Sequence, residues 1–148
     1  MSVVVYKDGV MAADSRAYSG GTHPIGTKRK IHRLTDGSLL GITSNQIGLP
    51  EAVRDWIDQG AHRDALLPDQ PSFTAIHVLT NGEIYFYDDS YVPSGPITTS
   101  EITIGSGMKY ALGALKMGAT VYEAVEVAKQ CDFYCGGEVA ILTLKGDQ

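Results

Sequence analysis

The stretch Ser2-Val3-Val4-Val5-Tyr6-Lys7-Asp8-Gly9-Val10-Met11-Ala12-Ala13-Asp14-Ser15-Arg16 reads as two β-rich runs divided by an Asx-Gly pair. Both residues of such a pair tolerate positive φ, so it closes a tight hairpin. The spacing predicts strands over Val3–Tyr6 and Val10–Ala13, with an acid, Asp14, just past the second. Ser2 stands ahead of the first strand. Removal of Met1 leaves a hydroxyl and a free α-amine on that one residue. An α-amine titrates near pH ~7.7–8.0 and works as a general base at neutral pH, where a lysine does not. Met-Ser is also simply how many chains begin, so the remaining sequence must decide.

The same hairpin cue recurs twice. Asp36-Gly37 separates Lys30–Leu34 from Leu39–Thr43, and Asn81-Gly82 separates Thr74–Leu79 from Ile84–Tyr87. A last strand is predicted at Val139–Leu144. Helices fall between these runs. Pro50 suits a first helical turn, with Leu49, Val53, Trp56 and Ile57 spaced as one apolar face before Gly60. Ser106 is placed to cap a helix whose apolar face is Met108, Leu112 and Leu115, ending near Gly118. Thr120 and Glu123 form a capping-box pattern ahead of Val121, Ala124, Val125 and Ala128. Residues 61–72 read as a connector. Hairpins interleaved with helices predict an α+β domain of stacked sheets covered by helices.

Composition bounds the function. The 148 residues fit one domain with a real core, and 43% hydrophobic content with 17 glycines fits a globular chain rich in turns. A net charge of −5 argues against nucleic acid or an anionic membrane as partner, and the short basic run Lys28-Arg29-Lys30 does not reverse that. No apolar run reaches the ~18–20 residues of a membrane span, and no signal peptide precedes Ser2, so a cytoplasmic location is expected. Cys131 and Cys135 lack a second ligand pair, and His23, His32, His62 and His77 are scattered. Buried free thiols are expected, with no metal and no cofactor.

With Ser2, Asp14 and Lys30 in view, the chain resembles the proteasome β-subunit and bacterial HslV peptidase family of N-terminal-nucleophile hydrolases. The resemblance rests on five pieces in order over about 140 residues. They are Lys7–Arg16, Lys28-Arg29-Lys30-Ile31, the strand Leu39–Thr43, Ile104-Gly105-Ser106-Gly107 with its following helix, and Cys131–Gly137. It implies a single domain over 1–148 with an αββα four-layer sandwich of two mainly antiparallel sheets flanked by helices. It further implies a peptidase that cuts polypeptides inside a homo-oligomeric ring, with an ATP-dependent unfoldase as the partner that feeds it.

The resemblance assigns roles. Ser2 is the nucleophile, its amine the base, and Lys30 the cation that favours the alkoxide, held charged and aimed by Asp14. Backbone N–H groups at Ser44-Asn45 form the oxyanion hole. Ser106, Asp132 and Cys135 pack around the terminal amine, and Arg16, like Cys135, stands behind the residues that do the chemistry. Ile31, Thr43 and Ser44 border the substrate. Residue by residue, plainer readings stand beside these: Asp14–Lys30 as an ordinary ion pair, Ser106 as a helix cap, Asp132 as a turn residue. The chain also departs from the family pattern. Serine replaces the usual threonine, Ser44-Asn45-Gln46 replaces a glycine pair, and Cys135 replaces a serine. The first hairpin is short, and the second helix is shortened. These departures keep two alternatives in play, a non-catalytic structural ring subunit and a small-molecule amidase.

Overall fold

The computed structural model describes residues 2–19, 23–63, 65 and 67–146. Met1, on whose removal the Ser2 reading depends, lies outside the described residues. The opening hairpin forms as expected. β1 (Val4–Lys7) pairs antiparallel with β2 (Val10–Ala13), from Val4 opposite Ala13 to Lys7 opposite Val10. Asp8 and Gly9 both take positive φ, 49° and 83°, the two-residue turn whose twist matches the strands.

The remaining strands build two sheets around it. The first sheet has the order β10-β2-β1-β9, with β9 (Glu101–Ile104) and β10 (Ala140–Thr143) flanking the hairpin. The second has the order β5-β6-β7-β8, from β5 (Ile31–Arg33) and β6 (Leu39–Thr43) to β7 (Thr74–Val78) and β8 (Ile84–Asp88). Every pairing in both sheets is antiparallel. A two-stranded ribbon, β3 (Arg16–Ser19) with β4 (His23–Thr27), stands apart from them.

Strand alternation sorts the side chains into three apolar layers. Val3 and Val5 face α2 (Met108–Lys116) and α3 (Val121–Cys131), meeting Ala111, Leu115, Val125 and Ala128. Val4, Tyr6 and Met11 face the second sheet and meet Ile31, Leu39, Ile76 and Val78. The far side of that sheet presents Leu40, Ile42 and Tyr87 to Val53 and Trp56 of α1 (Leu49–Asp58). The result is an αββα sandwich. Both faces of β1 are covered, which is why Val3-Val4-Val5 is an unbroken apolar run, each valine contributing about 1.5–3 kcal/mol on burial. The sheets approach closely at Gly41, where a Cβ would come within 2.5 Å of Val4 Cγ1.

Local signals hold at α1 and α3 and are revised on α2. The capping box of α3 is complete: Glu123 N–H donates to Thr120 Oγ1 (3.1 Å) and Thr120 N–H to Glu123 Oε1 (2.9 Å). On α2 the buried face is Ala111 and Leu115, while Met108 and Leu112 are 40% and 36% exposed. The small Ala111 meets Ala124 and Ala128 of α3, so close packing of the two helices outweighs the larger side chains. No helix occurs between α1 and β7 among the described residues, in line with the expected connector. The sequence reading missed β9 and the β3–β4 ribbon.

His32 and His77 lie on the α1 side of the second sheet, each opposite Leu40. Burial pushes His32 down to about 4, with Arg54 and Arg29 adding to the effect, and burial lowers His77 as well. An unfolded histidine titrates near 6.5, so the unfolded chain binds these protons first as the pH falls. The stability that neutral His32 contributes is complete above about pH 6.5 and is lost as the pH drops toward 4. Thermal unfolding across that range is therefore expected to fall with acid, and His32→Gln to flatten the slope.

Candidate active site

Ser2 sits beside the turn that links β9 to α2 and is 4% exposed. Its N–H donates to Ser106 Oγ at 3.0 Å, and its carbonyl accepts from the Gly107 N–H at 3.1 Å. Gly105 has φ 99°, and a Cβ there would lie 2.2 Å from the Ser2 carbonyl oxygen. That turn therefore requires glycine for both its conformation and its clearance. Gly107, not Ser106, is the N-cap of α2, and it makes no side-chain cap. The Ser106 oxygen accepts from the Ser2 N–H instead.

Behind Ser106 stands Asp132, at the C-terminal cap of α3. Cys135 Sγ donates to Asp132 Oδ2 at 3.3 Å and the Tyr134 N–H to Oδ1 at 3.0 Å. Burial works to raise the Asp132 carboxyl. Hydrogen bonds from Ser106, the Tyr134 N–H and Cys135 nonetheless hold it below the usual carboxylate range. Burial, with the negative charge of Asp14, pushes the Cys135 thiol up to about 12, so it is a neutral S–H donor. Cys135 is buried and Cys131 exposed, so only one of the two thiols is interior as expected.

The second half of the site is an ion pair. Because Val4 pairs with Ala13, the next step of the ladder brings Asp14 opposite Val3. The Asp14 carboxylate, 0% exposed, accepts from the Val3 N–H (3.0 Å) and from Lys30 Nζ (2.9 Å) on Oδ1. Its Oδ2 accepts from the Gly136 N–H at 3.0 Å. Lys30 is 6% exposed, and burial lowers its pKa while Asp14 pulls the other way. One carboxylate thus ties together the first strand, Lys30 and the loop after α3. Sequence reasoning missed the Gly136 donor; the adjacent glycines 136 and 137 were its only trace.

Ser2 and Lys30 open onto one cleft of about 490 Å³, which Thr43, Ser44 and Asn45 also line. Ser44 Oγ donates to the Ser72 carbonyl (2.5 Å) and accepts from the Gln46 N–H (2.9 Å), pinning the turn. Among the described residues the Asn45 N–H has no hydrogen-bond acceptor, so a donor is left over at the cleft. Arg16 borders the cleft and lies over Gly136, where a Cβ would fall 2.2 Å from its Cζ. Its Nη1 donates to Tyr18 Oη at 3.4 Å, and Tyr18 Oη donates to the Phe133 carbonyl at 2.9 Å.

Ile31 is not where the sequence reading expected it. It is fully buried between the sheets with Val4 and Met11, and Ile42 borders the cleft instead. The alternation of β5 turns the side chain of Ile31 inward, while Arg29 and Lys30, just before the strand, line the cleft. Ile25 and Tyr18 of the ribbon also reach it, and they went unnoticed because the ribbon did. Among the described residues no group of three or more His, Cys, Asp or Glu side chains is arranged to hold a metal ion, and no helix is long and apolar enough to cross a membrane.

Neither a protein-family model nor a curated protein matches the chain. Solved structures do. Eukaryotic HslV from Trypanosoma brucei superposes with a TM-score of 0.67 at 17% identity, covering 96% of this chain and 98% of that one. Thiobacillus denitrificans BPH in complex with epoxomicin gives 0.64 at 18% identity over 97% and 98% of the two chains. BPH from the same organism gives 0.63 at 18% identity over 99% of each. The fold is shared with these proteins nearly end to end.

Proposed function

We propose that the chain is an N-terminal-nucleophile peptidase of the proteasome and HslV type, with Ser2 as nucleophile once Met1 is removed. One observation carries the reading. The Ser2 nitrogen is held at 3.0 Å by Ser106 Oγ, on the same cleft as a buried lysine that is fixed at 2.9 Å by a buried aspartate. An ordinary surface ion pair needs no such isolation. A helix-capping Ser106 would not turn its oxygen to residue 2.

The chemistry follows from the groups present. The free amine of Ser2 takes the Oγ proton as Oγ attacks a carbonyl carbon. Lys30, positively charged on the same cleft, favours the alkoxide and lowers the amine's pKa. The Asn45 N–H, left without a partner, donates to the carbonyl oxygen as it becomes negative, a contribution of about 3–4 kcal/mol in comparable sites. The protonated amine then gives its proton to the leaving nitrogen. Water, deprotonated by the same amine, releases the acyl group from Ser2. Ser106 and Asp132 orient the amine.

The cleft is open and flanked by exposed Ile25 and Ile47, which fits an extended polypeptide better than a small amide in a closed pocket. The likeness to HslV favours a ring of copies with the cleft facing its interior, supplied by an ATP-dependent unfoldase. Intact mass spectrometry paired with a peptide-cleavage assay tests the reading. Loss of Met1 together with hydrolysis is expected. A chain with a free Ser2 amine that cleaves no peptide in any assembly state would overturn it. Epoxomicin, bound in one of the structural neighbours, is the first ligand to try, with protection of the Ser2 cleft expected.

A further inference from the structure

We infer that the cleft favours polypeptides with an acidic side chain within about two residues of the bond that is cut. The inference deepens the peptidase reading of Ser2 and rests on it. It comes from the charges that line the cleft. Four cations do so, Arg16, Lys28, Arg29 and Lys30, against one carboxylate, Glu51. Two of the four are already paired. Lys30 is bound to Asp14 at 2.9 Å, and Lys28 Nζ lies 2.8 Å from Glu51 Oε1. The Lys28 hydrogen bond, the largest influence on Glu51, holds its carboxyl below the usual carboxylate range, so Glu51 is ionised, with Oε1 taken by Lys28 and Oε2 buried without a hydrogen bond.

Arg16 and Arg29 remain, neither with a carboxylate partner among the described residues. The chain as a whole is acidic at −5, so a cleft with two surplus guanidinium groups runs against its own background charge. Arg16 is also fixed in place, its guanidinium lying over Gly136 and bonded to Tyr18. A group already ordered loses little freedom when it binds a carboxylate. Arginine's planar fork accepts a carboxylate through two parallel hydrogen bonds, which a lysine does not. Arg29 directly precedes Lys30 and lines the same cleft as Ser2, so its unpaired charge faces the space a substrate would occupy.

The test uses protein with a verified free Ser2 amine, in the assembly state in which it purifies. Peptide pairs that differ only by Glu against Gln, or Asp against Asn, near a common cleavage site are compared by kcat/KM. An advantage of about tenfold for the acid is expected, shrinking as salt is raised from about 50 to 500 mM. Arg29→Glu is expected to reverse the order, so that a Lys peptide outruns its Glu counterpart. Should that variant fold poorly, Arg29→Gln is expected to bring the Glu-to-Gln ratio toward one. Equal cleavage of acid and amide peptides would overturn the inference and leave the peptidase intact. Cleavage of neither would overturn both.

Discussion

Asp14→Ala is expected to cost about 3–5 kcal/mol of folding stability, a large part of the ~5–15 kcal/mol that holds a typical domain together. The carboxylate is 0% exposed and accepts from three donors, Lys30 Nζ and the N–H groups of Val3 and Gly136. Removing it leaves a lysine at 6% exposure with an uncompensated charge and two buried amides without partners. Lys30→Met alone is expected to cost less, because the remaining carboxylate keeps its two amide donors. The double variant Asp14→Leu/Lys30→Met removes both charges and is expected to recover part of the loss, since a buried ion pair adds little over well-packed apolar side chains. It recovers no activity. Urea unfolding reads the stabilities and peptide cleavage reads the chemistry. If Asp14→Ala unfolds within about 1 kcal/mol of the parent, the pair is hydrated and the site is not rigid.

That test separates two properties that the sequence displays together. Local grammar was plain in it. Asp8-Gly9 stated a two-residue turn, and Thr120 with Glu123 stated a helix start, because each depends on groups within four residues of one another. β9 gave no such sign. Glu101–Ile104 is a strand because it pairs with β1 across roughly a hundred residues, and nothing within the four-residue segment encodes that partner. The β3–β4 ribbon lacks a buried face, since β4 is exposed throughout, so alternation had nothing to mark.

The site shows the same division. The burial of Asp14 with Lys30 was expected from the family resemblance, yet which neighbour of Lys30 faces the cleft was not. The phase of β5 settles it, and that phase is set by packing between the sheets, where Ile31 meets Val4 and Met11. Ser106 is equally ambiguous in one dimension. A serine before a helix is a cap by local rules, and only the arrival of Ser2 from a hundred residues away gives its oxygen another donor. The proposed catalytic constellation is built from such non-local contacts, so family resemblance suggested it where periodicity did not.

The largest effect on activity is expected at residue 2. Ser2→Ala should lower kcat by at least about 10³-fold, equivalent to about 4 kcal/mol of transition-state stabilisation, with unfolding little changed. Ser2→Thr should remain active, since it keeps the hydroxyl, and its extra methyl restricts the rotamer. A chain that retains the residue ahead of Ser2 should be as inactive as Ser2→Ala although its hydroxyl is intact. In that chain the nitrogen 3.0 Å from Ser106 Oγ belongs to an amide, which donates a proton but does not accept one. Only as an amine, titrating near or below ~7.7–8.0 under the influence of Lys30, does it serve as base. The rate should therefore rise with pH through that range and level off once the amine is neutral. A free-Ser2 enzyme whose rate is flat from pH 6 to 9, or a Ser2→Ala variant that keeps its activity, would move the chemistry to another residue. The retained-residue comparison then becomes decisive, because it changes the base while leaving Ser2, Lys30 and Asp14 in place.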